Sequence, residues 1–116
     1  LLANTSISSV QKSYYQARAY LLSGENQLAI SMLESQLAQA KSDEKFRALL
    51  AGLYQKEGLY AQAITAYRNL LQEFIPQPAY WLGFALSLDA QGQSQTAIFA
   101  YQKLLEFDAL EAQVVS

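Results

Sequence analysis

The chain has 116 residues, of which 52% are hydrophobic, and its net charge at pH 7 is −2. This length predicts one domain with a continuous apolar core, and the slightly acidic balance argues against a nucleic-acid interface, which needs a basic face. Histidine and cysteine are absent. Because these residues supply the commonest general base, the thiolate nucleophile and the usual transition-metal ligands, we expect no enzyme, cofactor or metal site.

Residues 1–9 are rich in Ser, Thr and Asn and are predicted to form a flexible lead-in. The spacing of apolar residues then predicts a first helix from about Ile7 to Ser23 and a second from about Asn26 to Ala40. Gly24 lies between them, where a chain leaving a helix commonly needs a left-handed backbone. Asn26 is the predicted N-cap of the second helix.

The next two helices are predicted to end near Lys56 and Phe74. Ser42 or Asp43 is expected to cap the first of them. The segment 75–78, IPQP, breaks the pattern, because proline stops a helix and restricts the residue before it to extended conformations.

A third helical pair is predicted over about Ala79 to Phe107, with Gly92 at its turn and Ser94 as the N-cap of its second helix. Residues 110–116 resume a helical pattern and are predicted to begin a separate capping helix. Leu110, Val114 and Val115 are the apolar residues that this helix would offer.

The three pairs repeat every 34 residues without gaps. The corresponding sets are Gly24, Gly58 and Gly92; Ala17, Ala51 and Ala85; Ala29, Ala63 and Ala97; Ile30, Ile64 and Ile98; Leu33, Tyr67 and Tyr101. A helical pair cannot bury its outer apolar face alone, so such a period predicts an array of stacked pairs. The predicted units span about 10–43, 44–77 and 78–109.

These units resemble tetratricopeptide repeats (TPRs), whose period is also 34 residues. The third unit matches best, and the second departs from the family by placing Arg47 where an aromatic residue is usual. The residues that carry the resemblance in the third unit are Trp81, Ala85, Leu88, Gly92, Ala97, Ile98 and Tyr101. The resemblance implies an all-α fold, a right-handed α-solenoid of three helical hairpins with a truncated C-terminal capping helix.

In the TPR family, the first helices of the hairpins line a concave groove that binds a peptide or helix. The resemblance places twelve residues in this groove: Gln11, Tyr14, Arg18, Leu21, Lys45, Ala48, Gly52, Gln55, Ala79, Leu82, Leu86 and Asp89. Tyr14, Leu21, Leu82 and Leu86 are apolar where a solvated face would be polar. They form either a docking surface for a protein partner or core that meets neighbouring segments.

The segments 46–72 and 80–110 are similar to the C-terminal repeat region of a biogenesis family of the mannose-sensitive haemagglutinin (MSHA) type IV pilus in Gram-negative bacteria. This resemblance implies a periplasmic domain of a longer, inner-membrane-anchored protein, with pilus assembly proteins as partners. A different interpretation remains open, in which the repeats form a self-associating structural spacer of another envelope or secretion complex.

Two surface features complete the sequence-based expectations. Lys45, Arg47 and Lys56 share one helix beside Arg18, and they form either ordinary surface charge or a positive patch that reads a carboxylate on a partner. Four apolar residues lie near the C-terminal edge, where no further unit covers them: Phe99, Leu104, Phe107 and Leu110. We therefore predict a homodimer through this edge.

Overall fold

A computed structural model describes the backbone of residues 6–115 and the side chains of residues 6–111. Within this range the protein is all-helical, with six α-helices and one short 3-10 helix. The helices are α1 (Ser9–Leu22), α2 (Asn26–Ser35), the 3-10 helix (Leu37–Ala40), α3 (Glu44–Lys56), α4 (Tyr60–Glu73), α5 (Pro78–Ala90) and α6 (Ser94–Val115). The prediction of an all-α fold is confirmed for this part of the chain.

The helices pack in chain order. Each α-helix contacts the next along the chain, and α3 also contacts α5. The described residues extend over 48 × 35 × 25 Å. The arrangement places α3 and α4 in the middle, between α1 with α2 on one side and α5 with α6 on the other.

The three turns between paired helices share one geometry. Gly24, Gly58 and Gly92 have φ angles of 80°, 75° and 76°, in the left-handed region that favours glycine. In each turn the glycine N–H donates to the carbonyl three residues back, and the following N–H donates to the carbonyl five residues back. This is the Schellman motif, and it satisfies carbonyls that the ending helix leaves free. The prediction of left-handed glycines at these turns is confirmed.

One predicted N-cap residue is confirmed, and two are corrected. Asp43 caps α3, because its side chain accepts a hydrogen bond of 3.1 Å from the Phe46 N–H. Asn26 and Ser94 were predicted as N-caps, but each is already the first residue of its helix. The Asn26 side chain instead donates to the Glu57 carboxylate across the gap between α2 and the end of α3, at 2.9 Å.

The start of α1 lies inside the predicted lead-in. Ser8 and Gln11 form a capping box, in which the Ser8 side chain accepts from the Gln11 N–H and the Gln11 side chain accepts from the Ser8 N–H. α1 therefore begins at Ser9, within the segment assigned to the lead-in and two residues after the predicted helix start at Ile7. Residues 1–5 of the lead-in lie outside the described part of the chain.

The predicted separate capping helix is also corrected, because the segment 110–115 is the continuation of α6. No glycine or proline comes after Phe107, so nothing stops the helix there. By contrast, α4 ends just before Pro76. Val114 and Val115, which were predicted to cover the edge, have side chains outside the described residues.

Small residues lie where the paired helices cross. Six alanines at corresponding positions of the three pairs are all buried, namely Ala17, Ala29, Ala51, Ala63, Ala85 and Ala97. Their size allows the two backbones of each pair to approach closely, so larger apolar residues pack around them. Phe46, Leu33, Leu53, Leu70 and Leu88 are the largest fully buried apolar side chains of this core.

One tyrosine ring fills the junction between the second and third pairs. Tyr67 of α4 is buried between Gly52 of α3 and Gly83 of α5. A Cβ added at Gly83 would overlap the ring, whereas one added at Gly52 would lie 3.7 Å from the hydroxyl oxygen. The ring therefore requires glycine at position 83, whereas a side chain at position 52 would meet the Tyr67 hydroxyl at an ordinary contact distance.

Candidate binding surface

None of the twelve predicted groove residues is buried. Seven are exposed, and five are half-buried, namely Tyr14, Leu21, Ala48, Gly52 and Gln55. They lie on α1, α3 and α5, or at the first turns of those helices, at the 34-residue spacing that the sequence shows. A row of positions that stays open to solvent along three helices can be reached by a partner.

The two halves of this row differ in their apolar residues. Tyr14 and Leu21 on α1 are half-buried and pack against the core. Leu82 and Leu86 on α5 remain 42% and 39% exposed, and their four-residue spacing places them one above the other. The interpretation as core therefore applies in part to Tyr14 and Leu21 on α1, whereas Leu82 and Leu86 leave exposed apolar surface on α5.

Several groove residues already have intramolecular roles. Gln11 belongs to the capping box at the start of α1. Asp89 accepts a hydrogen bond of 3.0 Å from the Tyr101 hydroxyl. At the corresponding place one unit earlier, the Tyr67 hydroxyl lies 3.5 Å from the Gln55 side-chain oxygen. In the second and third pairs these contacts link the second helix to the first, so Gln55 and Asp89 are less free to meet a partner.

An open hollow of ≈ 340 Å³ joins α1 to the start of α3. It is lined by Gln11, Tyr14, Tyr15, Asp43 and Lys45. The structure therefore brings together three of the predicted groove residues from two different units. The tyrosine rings, which meet edge to face at 5.6 Å between centroids, and the exposed Lys45 give this end both apolar and charged character.

The predicted positive patch is reduced by the structure. Arg47 makes a bidentate ion pair with Glu73, at 2.8 and 3.0 Å, and also donates a hydrogen bond to the Lys41 carbonyl at 2.7 Å. Its guanidinium lies over the Phe74 ring. Arg47 is therefore engaged within the chain, and Glu73 balances its charge. Arg18, Lys45 and Lys56 remain exposed.

The sequence did not predict the hydrogen bonds that join tyrosines of one helical pair to carboxylates of the neighbouring helical pair. The Tyr54 hydroxyl donates to Glu34 at 2.6 Å, and the Tyr80 hydroxyl donates to Glu44. Burial is the largest cause that raises the pKa of both tyrosines above the ordinary value, and the hydrogen-bonded carboxylates of Glu34 and Glu44 raise it further. The sequence contains no signal that pairs these tyrosines with particular acids.

The sequence also did not predict a second cavity. An open cavity of ≈ 430 Å³ lies between the 3-10 helix, α3 and α4, outside the row of groove residues. It is lined by Leu37, Arg47, Leu50, Tyr54, Ala61, Gln62, Thr65 and Ala66. A signal was present, because Arg47 and Thr65 stand where the third unit has Trp81 and Phe99.

The C-terminal edge exposes apolar residues on α6. Ile98, Phe99, Leu105 and Leu110 are exposed, while the predicted edge residues Leu104 and Phe107 are half-buried. An open hollow of ≈ 320 Å³ lies beside them, bordered by Pro78 at the start of α5. The edge is therefore a second apolar surface, separate from the row on α1, α3 and α5.

The described residues hold neither a metal-binding cluster nor a membrane-spanning helix. No cluster of three or more Asp or Glu side chains is arranged to hold a metal ion there. None of the helices in this part of the chain is both long enough and apolar enough to span a membrane.

Comparison with known proteins adds no identification. The chain matches no protein-family model, and no curated protein is significantly similar to it.

Proposed function

We propose that this chain is a TPR-type solenoid that acts as a non-catalytic protein–protein interaction module. The groove formed by its first helices binds a peptide or helix of a partner. The 34-residue period, the three Schellman turns and the packing of helices in chain order support this architecture. No cofactor is required, because binding rests on side-chain contacts alone.

The observation that carries the binding proposal is the exposure of Leu82 and Leu86 in the row of groove positions. Exposed apolar groups that lie together mark interaction sites more often than ordinary surface. On the neighbouring α3, the corresponding residues are Ala48 and Gly52, which are small. A partner side chain can therefore approach the α3 backbone closely while it contacts the leucines of α5.

The biological setting that we propose is assembly of an MSHA-like type IV pilus, with the chain as the periplasmic repeat region of an inner-membrane-anchored protein such as MshN. Support comes from the resemblance of residues 46–72 and 80–110 to that family. In this setting the partners are other pilus assembly proteins.

The binding proposal is tested by selecting peptides from a displayed random library against the chain and measuring their affinities by fluorescence anisotropy. We expect peptides with apolar residues at helical spacing, and we expect Leu82→Glu to weaken them at least about tenfold, because it places a charge in the contact. Leu22→Glu is the matched control, since Leu22 is 81% exposed at the end of α1 and lies outside the row. Selected peptides that bind the Leu82→Glu variant as tightly as the parent chain contradict the proposal.

A second candidate function is self-association through the C-terminal edge, as in a structural spacer. The exposure of Ile98, Phe99, Leu105 and Leu110 favours it, because these residues would be covered in a dimer. We expect sedimentation at micromolar concentration to show a dimer that is weakened by Phe107→Ser and by Leu105→Ser, but not by Leu22→Ser. A monomer at all accessible concentrations rules out this role.

A further inference from the structure

The cavity between the 3-10 helix, α3 and α4 has an apolar floor and an open mouth. Leu50 and Tyr54 of α3 are buried and form the floor. Ala61, Thr65 and Ala66 of α4 form one wall, and Leu37, which is 37% exposed, forms the rim. The Tyr54 hydroxyl is already bonded to Glu34, so the floor presents little unpaired polar surface.

The corresponding place in the third unit carries two of the chain's own aromatic rings, of which Phe99 is 50% exposed. Trp81 of α5 and Phe99 of α6 meet edge to face there, with 5.9 Å between ring centroids. Subtracting the 34-residue period from their numbers gives Arg47 and Thr65, and both of these residues line the cavity. The cavity therefore occupies the site where the third unit holds two aromatic rings.

Neither replacement fills the space. The Arg47 guanidinium is drawn to the Glu73 carboxylate and over the Phe74 ring, with its centre 5.2 Å from the ring centroid. Thr65 is small, and its hydroxyl points back to the Ala61 carbonyl, 3.3 Å away. The contacts that hold both side chains also keep the cavity open.

The end of α2 contributes to the opening. This helix stops at Ser35 and the chain continues as the 3-10 helix, whereas α4 remains helical to Glu73, four residues beyond the position that corresponds to Ser35. As a result Leu37 sits exposed at the rim, while Leu71, its counterpart one unit later, is half-buried. The change from an α-helix to a 3-10 helix thus coincides with the exposure of Leu37 at the rim of the cavity.

We propose that this cavity binds an aromatic side chain presented by a partner peptide. The ring takes the place that Phe99 takes in the third unit and packs on Leu50 and Tyr54. The volume suffices, since a benzene ring occupies an engineered apolar cavity of about 150 Å³. None of the lining residues belongs to the row on α1, α3 and α5, so this site is independent of the groove proposed above.

The test uses indole as the aromatic probe, with amide chemical shifts followed by NMR during titration of the full chain. We expect saturable shifts at residues of α3 and α4 that line the cavity. Thr65→Phe places in the second unit the ring that Phe99 supplies in the third, so we expect it to weaken indole binding at least about tenfold. Ser31→Phe is the matched control, because Ser31 corresponds to Thr65 in the first unit and lies outside the cavity.

Circular dichroism establishes whether Thr65→Phe retains its helices. If that variant loses its helices, Ala61→Phe is used instead, because it fills the same cavity from one turn earlier on α4. We expect it to weaken indole binding by the same factor. Undiminished indole binding in the folded filling variant overturns the proposal. So do shifts confined to α6, which would place indole at the C-terminal edge instead.

Discussion

Ile64 and Ile98 occupy corresponding positions in the second and third helical pairs, yet their surroundings differ. Ile64 on α4 is 4% exposed, as is Ile30 on α2, whereas Ile98 on α6 is 53% exposed. The difference lies in whether a later helix covers the one that carries the isoleucine. α3 packs on α2 and α5 packs on α4, but in the described residues no later helix packs on α6.

The comparison indicates that the repeated isoleucine, unlike the repeated alanines, is buried by the next helical pair rather than by its own. The hydrophobic stabilisation of each pair is therefore completed at the interface with its successor. The third pair has the same apolar pattern as the second but keeps that surface in water. The same residue type at Ile64 and Ile98 should then make very different contributions to stability.

The largest expected effect comes from truncating the two isoleucines. Ile64→Ala should lower the free energy of unfolding by about 2–4 kcal/mol, because it removes buried methyl groups and leaves a cavity. Ile98→Ala should lower it by less than about 0.5 kcal/mol in dilute protein, because the side chain is half in solvent. Urea denaturation followed by circular dichroism measures both changes. Equal losses would show that Ile98 is covered in solution.

A smaller effect is expected at the junction where Tyr67 fits between two glycines. Gly83→Ala should cost about 1–2 kcal/mol, since the overlap with the Tyr67 ring exceeds the gain in helix propensity. Gly52→Ala is the matched control, because its Cβ lies at ordinary contact distance from the tyrosine hydroxyl. It should stabilise the chain by about 0.5–1 kcal/mol.

Thermal unfolding monitored by circular dichroism compares the two alanine variants. Combining Gly83→Ala with Tyr67→Leu should cost less than the sum of the two single losses, because the smaller side chain relieves the overlap. If Gly83→Ala matched Gly52→Ala in stability, the ring of Tyr67 would have to lie elsewhere.

The smallest effect is expected at alkaline pH, at the corresponding residues Tyr67 and Tyr101. Burial raises the pKa of both tyrosines, and in Tyr101 the Asp89 carboxylate adds to the rise. A raised pKa in the folded state gives stability that is full below about pH 10, the unfolded value, and is lost as the pH rises above it. Stability should therefore fall more steeply above pH 10 than between pH 8 and 10.

Tyrosine-to-phenylalanine variants measure the contributions of Tyr67 and Tyr101 to this alkaline loss, to which Tyr54 and Tyr80 also contribute because their pKa values are raised. Tyr67→Phe should flatten the loss more than Tyr101→Phe, because Tyr67 is buried and Tyr101 is half-buried. Urea denaturation at pH 8, 10 and 11 gives the comparison. Identical slopes for the parent chain and the Tyr67→Phe variant would exclude Tyr67 as the group responsible.

The sequence by itself determined the helices and their turns. Apolar spacing located most helix ends of the described part to within a few residues, because the 3.6-residue period is a local property of the chain. It was wrong at two ends, since α2 stops at Ser35 rather than Ala40 and α6 continues past Phe107 to Val115. The left-handed turns were predictable from glycine at 34-residue spacing, because other residues pay a steric cost there. The burial of Ala17, Ala51 and Ala85 was equally predictable from small residues at fixed intervals.

Other features were decided only by the tertiary structure, because they depend on residues far apart in the chain. The side chain of Arg47 looks like free surface charge in the sequence, but Glu73, which lies 26 residues away, holds it in place. The Asn26 side chain donates a hydrogen bond to Glu57 at the end of α3 instead of capping α2. The exposure of Leu82, Leu86 and Ile98 likewise depends on which helices pack on α5 and α6. A local pattern states which face of a helix is apolar, whereas packing decides whether anything covers it.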